Sequence, residues 1–274
     1  MSVINTNLAS LNAQRNLKSS ESSLNTSIQR LSSGLRVNSA KDDAAGLSIA
    51  TKMDSQVRGM SQAVRNANDG ISMAQTADGG LATAVDALQR MREIAVQGMN
   101  GTNTTTDSAN LSKEFKALGL EVERVAQATK FNGTAILSTA SAATSIQVGA
   151  DTTADQSISI PATNLEAKGA TVKALDVNDA TTSKAAITAI DTALADINTM
   201  RADLGASQNR LGFAVSNLQS SVENQSAAKS RIMDTDFASE TAKLTRGQIL
   251  QQAGTAMLAQ ANSAPNGVMA LLRG

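Results

Sequence analysis

Apolar side chains recur mostly at steps of three, four and seven residues along the first 35 positions, while Ser, Asn, Gln and Thr fill most positions between them. Such steps place the apolar residues on one narrow face of a helix, as in the seam of a coiled coil. The intervening polar residues are middling helix formers, so this helix needs a partner to be stable in water. The predicted seam comprises Ile4, Leu8, Leu11, Leu17, Leu24, Ile28, Leu31 and Leu35.

The same spacing predicts two long helices and a shorter one in the middle of the chain. The long helices cover about residues 44–97 and 183–233, and the shorter one covers about residues 111–129. A break containing Gly34 precedes the first long helix, because glycine and the neighbouring Asn and Ser residues disfavour a continuous helix. The buried positions predicted for that helix include Leu47, Val57, Val64, Ile71, Leu81, Val85, Leu88 and Ile94.

The hydrophobic period changes between residues 134 and 180. Residues 145–148 and 157–160 alternate between polar and apolar side chains, as half-buried strands do, and Pro161 ends the second strand. Asn132-Gly133 has the composition of a tight hairpin turn. We therefore predict a short β-hairpin segment on the outside of an otherwise helical protein.

The last predicted helix, at about residues 238–262, has apolar residues over most of its circumference. A helix that is apolar on nearly all sides is buried on nearly all sides, and other protein is the expected cover. We expect both ends of the chain to be largely disordered in the monomer and to fold when neighbouring molecules cover them. The residues assigned to assembly are Leu17, Leu24, Ile28, Leu31 and Leu35 near the N-terminus, and Ile249, Leu250, Ala253, Met257 and Leu258 near the C-terminus.

The composition removes most kinds of catalytic chemistry. The 24 basic and 24 acidic residues cancel, which argues against nucleic acid or an anionic membrane surface as a partner. The chain has no Cys and no His, so it lacks thiolate nucleophiles, imidazole bases and the common zinc ligands. Its paired carboxylates, Asp42-Asp43 and Asp234 with Asp236, precede predicted helices and are interpreted as helix caps. We predict no enzyme activity, no catalytic residue, no cofactor and no metal site.

Several strings resemble bacterial flagellin. The strongest is residues 248–262 (QILQQAGTAMLAQAN), which is similar to the flagellin C-terminal signature. The resemblance covers about the first half and the last third of the chain. The other matching strings are residues 4–7, 11–15, 30–50, 67–75 and 88–97.

This resemblance implies a structural subunit of the flagellar filament, with a mainly α fold of long helices in coiled-coil or bundle packing and a small β-hairpin region. Its domains would be nested and discontinuous. Residues 1–43 and 233–274 would form an inner coiled-coil domain around a central export channel. Residues 44–232 would form the filament core domain, with the β-hairpin segment at about 134–180. The stretch 140–183 is too short for a large outer domain, so the chain resembles a near-minimal flagellin.

The resemblance also implies a location and a set of partners. The chain would lie outside the cell in the flagellum, after export through the flagellar type III channel. Its N-terminus lacks the basic and apolar regions of a secretory signal, which suits that route. The implied partners are further copies of itself in a helical homopolymer, the filament cap, the hook-associated junction proteins and an export chaperone on the C-terminal segment.

One recognition surface follows from the resemblance. Flagellins that Toll-like receptor 5 recognises use a helical stretch corresponding to residues 89–97, with one glutamate from the neighbouring helix. Gln89, Glu93 and Gln97 are spaced four residues apart and share one helix face. Leu118 stands where receptor-activating relatives commonly have Arg, a difference that bears on affinity rather than on location. The implied residues are Gln89, Arg90, Glu93, Ile94, Gln97 and Glu114.

Two other classes of protein share some of these features. A hook–filament junction protein would have similar terminal helices, but the string at 248–262 favours the filament subunit. A secreted pore-forming translocator would also have amphipathic helices, together with a markedly apolar hairpin, which this sequence lacks.

Overall fold

The computed structural model describes residues 6–139, 141–151 and 153–271, with side chains as far as residue 263 in the last helix. Ile4, at the start of the predicted N-terminal seam, lies outside these residues. The predicted mainly α fold is confirmed, since long helices dominate the described chain. The elements are α1 (Leu8–Ser33), α2 (Ala44–Gly98), α3 (Thr105–Ala128), β1 (Lys130–Phe131), β2 (Thr134–Ala135), β3 (Thr144–Gln147), β4 (Ser157–Ile160), α4 (Leu165–Lys173), α5 (Ala180–Met233) and α6 (Phe237–Leu271).

The chain separates into two compact units. Unit 1 consists of residues 1–55 and 224–274, so it is assembled from the two ends of the sequence. Unit 2 consists of residues 56–223. The division at 43/44 and 232/233 concerns layers of a filament, and it stays a prediction.

In unit 2, small residues occupy the most buried line of α2. The burial follows steps of three and four residues, which is the spacing of a coiled-coil seam. Of the large aliphatic residues predicted to be buried, Leu81, Leu88 and Ile94 are, whereas Val64 and Ile71 lie beside the seam and are half-buried. Small side chains at the centre let two helix backbones come close together. The buried line is Met60, Ala63, Ala67, Gly70, Ala74, Ala77, Leu81, Ala84, Leu88, Met91, Ala95 and Gly98.

Helix α5 packs on this line in the antiparallel direction. Its own buried residues have the same spacing, beginning at Ser183 and continuing to Leu211. The residue numbers at the contacts between them decrease along α5 as they increase along α2, so the two helices are antiparallel. These contacts join Gly70 to Leu211, Asp78 to Arg201 (2.7 Å), Arg92 to Asp191 (2.8 Å) and Gly98 to Ser183.

The strands of the β-hairpin segment match the prediction, but the predicted location of the segment does not. Strands β3 and β4 pair in an antiparallel sheet with Ile146 opposite Ile158. Asn132 and Gly133 join β1 to β2 with φ of 48° and 80°, the left-handed conformation of a tight hairpin turn. The expectation that this segment lies only on the outside was wrong, because it also supplies fully buried core residues. These are Leu137, Ile160, Leu165, Val172 and Val177.

Helix α4 lies within this segment and was not predicted. It has only nine residues, LEAKGATVK, too few for a hydrophobic period to stand out. Asn164 caps its first turn by accepting a hydrogen bond from the backbone N–H of Ala167. The helix packs on α3, where Gly169 lies against Val122.

Two other helix ends differ from the prediction. Helix α3 begins six residues early because Thr104 and Asp107 form a capping box, in which each side chain accepts the other's backbone N–H. Helix α6 continues to Leu271 rather than ending near residue 262. Both differences extend helices whose existence was correctly predicted.

Adjacent glycines in α2 give a matched test of the close packing in unit 2. A Cβ at Gly80 would lie 2.7 Å from both Leu137 Cδ1 and Thr129 Oγ1, whereas a Cβ at Gly79 would meet nothing within 4 Å. We expect Gly79→Ala to raise the free energy of unfolding by roughly 1 kcal/mol through helix propensity. Gly80→Ala should lower it by about 1–2 kcal/mol, because overpacking outweighs the same gain. Urea unfolding measures both, and equal stabilisation by the two variants would contradict the packing described here.

Candidate functional site

The two ends of the chain pair in unit 1 through an antiparallel contact of α1 and α6. A backbone clamp closes the base of this pair. The N–H of Arg36 donates to the carbonyl of Met233 at 2.6 Å, and the N–H of Thr235 donates to the carbonyl of Gly34 at 3.0 Å. Gly34 ends α1 in the left-handed conformation, with φ of 72°, which turns the chain into the clamp.

Leucines of α1 fit against glycines of α6 along the seam of this pair. A Cβ at Gly247 would come within 3.1 Å of Leu24 Cδ1, and a Cβ at Gly254 would come within 3.1 Å of Leu17 Cδ1. Leu17 and Leu24 thus belong to an intramolecular seam. The predicted assembly residues that are half-buried in unit 1 are Leu17, Leu24, Leu31, Leu35 and Leu258.

The other predicted assembly residues lie on the surface of unit 1. Ile249 is 62% exposed and Met257 is 65% exposed, so α1 does not cover either side chain. Leu250, Ala253 and Ile28 are also exposed. The expectation that α6 is apolar over most of its circumference therefore leads to a specific arrangement: one face of α6 covers α1, and another is uncovered in the single chain.

A buried carboxylate in the seam was missed by the sequence reasoning. Glu240 is 4% exposed and accepts a hydrogen bond of 2.6 Å from the hydroxyl of Ser27, which is 5% exposed. Lys243 Nζ lies 3.0 Å from its other oxygen. The Ser27 hydrogen bond, helped by Lys243, lowers the pKa of Glu240 although burial acts in the opposite direction. The sequence contains one signal of this buried position. Ser27 lies three residues after Leu24 and seven after Ser20, so it continues the seam spacing of α1.

The residues implied for receptor recognition form an exposed charged cluster in unit 2, with one exception. Arg90 contacts Glu93 at 2.9 Å within α2 and Glu114 of α3 at 2.9 Å. These hydrogen bonds, first that to Glu93, raise the pKa of Arg90. Gln89 and Gln97 are exposed on the same helix. Ile94 is 1% exposed, so this residue belongs to the core and cannot itself form a recognition surface.

Leu118 also bears on this cluster. It is half-buried and packs against the core of unit 2. Its hydrocarbon side chain supplies no charge beside Arg90 and the two glutamates. The charged side chains of this surface include Arg90, Glu93 and Glu114, and Arg92 lines a shallow depression there with Gln89 and Glu93.

Neither a metal centre nor a membrane-spanning segment is found among the residues described. No group of three or more metal-ligating side chains occurs within residues 6–139, 141–151 and 153–271. Across the same part of the chain, none of the helices combines the length and the apolar character needed to cross a bilayer.

Comparisons with known proteins identify the family. The family model "Bacterial flagellin N-terminal helical region" matches residues 4–142, and "Bacterial flagellin C-terminal helical region" matches residues 187–272. The chain is 45% identical over 271 residues to a flagellin of Halalkalibacterium halodurans, covering 99% of this chain and 100% of that one. It is 42% identical over 317 residues to a flagellin of Xenorhabdus nematophila, with 99% of each chain covered.

Solved structures agree with this assignment. The crystal structure of Bacillus cereus flagellin is 32% identical, with a TM-score of 0.52, and covers 60% of this chain and 94% of that one. A putative flagellar hook-associated protein from Vibrio parahaemolyticus has a TM-score of 0.56 over 70% of this chain and 100% of that one. At 15% identity, that likeness concerns the fold alone. The helical matches at both ends and the full-length identity together show that this chain belongs to the bacterial flagellin family.

Proposed function

We propose that this chain polymerises through its terminal helix pair into the flagellar filament, where it acts as part of the helical propeller. Flagellin is a structural protein family, so the chain is a filament subunit rather than an enzyme, and its place is the flagellum outside the cell. The observation that carries the assembly role is the uncovered apolar face of α6. Unit 1 buries one side of this helix on α1 and leaves large side chains such as Ile249 and Met257 in contact with solvent.

The energetics favour further copies of the chain as the cover for this face. Burying one large aliphatic side chain contributes about 1.5–3 kcal/mol, and contiguous exposed apolar surface is a common mark of an interaction site. Ile249, Leu250, Ala253 and Met257 lie within nine positions of one helix. A polymer presents the same face many times, so a modest gain per subunit is repeated along the filament.

The residue ranges proposed for the filament layers follow from this role. Residues 1–43 and 233–274 would form the inner coiled-coil domain around the central channel, and residues 44–232 would form the next layer. Unit 1 supports the first assignment, because it joins the two ends of the sequence in one antiparallel pair. The filament cap, the hook-associated junction proteins and a C-terminal export chaperone are proposed partners, with type III export as the proposed route.

A junction protein of the hook and filament is the second candidate function. The likeness to the hook-associated protein from Vibrio parahaemolyticus concerns the fold alone and does not favour this role over the filament role. The filament role is favoured more strongly, because identity to a flagellin extends over the whole of both chains.

Polar substitutions on the uncovered face of α6 test the assembly role. We expect Ile249→Ser combined with Met257→Ser to raise the concentration needed for polymerisation by at least roughly tenfold, since two aliphatic contacts per interface are lost. Thr245→Ala combined with Gln252→Ala changes two exposed polar residues of the same helix and is the control. Negative-stain electron microscopy and sedimentation measure polymer formation. Normal filaments from the Ile249/Met257 variant would contradict the role assigned to this face.

We also propose the exposed charged cluster of unit 2 as a surface for Toll-like receptor 5. Its support is the geometry of the exposed side chains. Arg90 is held between Glu93 and Glu114, so the charged groups are ordered before a partner arrives, which reduces the entropy lost on binding. Gln89 and Gln97 extend the surface along α2 with neutral hydrogen-bonding groups. Ile94 is assigned the role of anchoring the helix to the core.

Removing the charges of this cluster tests the receptor proposal. We expect Arg90→Ala combined with Glu93→Ala to reduce receptor signalling by about tenfold or more, because centrally placed charged groups contribute strongly to recognition. The matched control is Lys168→Ala combined with Asp196→Ala, which removes another ion pair of unit 2 with 39% and 38% exposed side chains. A reporter assay with cells that express the receptor measures the response. Equal signalling by the two double variants would exclude the cluster as the recognition surface.

A further inference from the structure

The apolar part of the α1–α6 seam repeats itself every seven residues. Leu24 lies against Gly247 in the same way as Leu17 lies against Gly254, with the same closest approach of 3.1 Å to a Cβ placed on the glycine. Sliding α6 along α1 by seven residues, roughly 10 Å, would put one leucine–glycine pair in the place of the other. The apolar contacts therefore do not define a single register.

The backbone clamp ties the two helices together at the base of the pair. Its hydrogen bonds join main-chain atoms of Gly34 to Thr235 and of Arg36 to Met233. Main-chain groups inside a helix already bond within that helix, so such a clamp can form only between residues at helix ends, and it fixes only the base of the pair. Further along the pair, side chains must distinguish the observed register from one displaced by a heptad.

The Ser27–Glu240 hydrogen bond contributes to that distinction, together with the hydrogen bond of 2.7 Å from Ser10 Oγ to Asn262 Oδ1 near the other end of the pair. Ser27 and Glu240 are both more than nine-tenths buried, and the bond between them is 2.6 Å long. A carboxylate in such a position is costly unless it is paired, so α6 can lie on α1 only where Glu240 meets a donor. A displacement of seven residues in one direction would bring Glu240 to Gly34, which has no side chain. In the other direction it would meet Ser20, whose hydroxyl would have to give up its hydrogen bond to the carbonyl of Asn16 in its own helix.

We propose that Glu240, acting through Ser27, is a positioning residue that holds α6 in the observed register on α1 beyond the clamp. A single buried polar residue fixes alignment in other coiled coils at a cost in stability, and here it selects among leucine–glycine registers of similar packing. The register decides which residues of α1 stand beside the uncovered face of α6. This inference rests on the geometry of unit 1 and holds whatever covers that face.

Disulfide mapping tests the proposal directly, because the chain contains no cysteine. Cysteines at two leucine and two glycine positions give four double variants, of which two report the observed register and one reports each of the two displaced registers. The native pairs are Leu17→Cys with Gly254→Cys and Leu24→Cys with Gly247→Cys. A Cβ at Gly254 lies 3.9 Å from Leu17 Cβ, and a Cβ at Gly247 lies 3.4 Å from Leu24 Cβ, close to the spacing of a disulfide. The displaced pairs are Leu24→Cys with Gly254→Cys and Leu17→Cys with Gly247→Cys.

Each variant is oxidised as the full chain, at the concentration where circular dichroism gives the highest helix content. We expect native pairs to close on the order of tenfold faster than displaced pairs, the ratio typical of one satisfied buried polar group. Glu240→Leu should reduce that preference severalfold. Glu240→Gln should keep most of it, because its amide oxygen still accepts from Ser27. Glu21→Leu, which removes an exposed glutamate of α1, is the control and should leave the preference unchanged.

An undiminished native preference in Glu240→Leu would overturn the proposal, as would an equal loss in Glu240→Gln. If Glu240→Leu lowers the helix content, Ser27→Ala is measured in its place, since it removes the donor and leaves α6 unchanged. A native preference unaffected by Ser27→Ala would equally overturn the proposal. Electron microscopy of the same samples separates this result from the assembly role, which fails only when chains with the native register do not polymerise.

Discussion

A helix with one apolar stripe gains little from being helical alone, because fixing its backbone costs about 1–2 kcal/mol per residue in conformational entropy. Burial of the stripe has to offset that cost, and antiparallel helix pairing provides the burial in both units of this protein. In unit 2, alanine and glycine on α2 allow α5 to come close. In unit 1, leucines of α1 fill the space above glycines of α6. The remaining elements of unit 2 pack on the first pair, whereas the second keeps an uncovered face.

The sequence predicted the secondary structure well wherever large apolar residues recur at regular intervals. It located the long helices, the two strands of the longer hairpin and the Asn132-Gly133 turn, because each depends on local spacing or on backbone conformation. It placed the centre of the α2 seam less well, since Ala67 and Ala74 carry too little hydrophobic signal to stand out from alanines elsewhere. Helix α4 was missed for the related reason that nine residues are too few to establish a period.

Functional positions depended more on tertiary structure. Ile94 lies in a helical string implied to recognise a receptor, yet its side chain points into the core, so a linear motif mixes anchoring residues with exposed ones. Glu240 reads as a favourable acidic residue in the first turn of a helix, and only the pairing of the two chain ends shows that it is buried against Ser27. Partners more than two hundred residues apart leave no local pattern from which their contact can be predicted.

We propose that neighbouring copies of the chain complete the terminal helix pair. Amide hydrogen exchange of the full-length protein before and after polymerisation tests it most directly, because exchange reports the stability of each helix separately. We expect protection in residues 249–263 of α6 to rise by at least about tenfold on polymerisation. Residues 60–98 of α2, already buried on α5 within unit 2, should change much less. Equal protection of α6 in monomer and polymer would show that neighbouring copies do not complete the terminal helix pair.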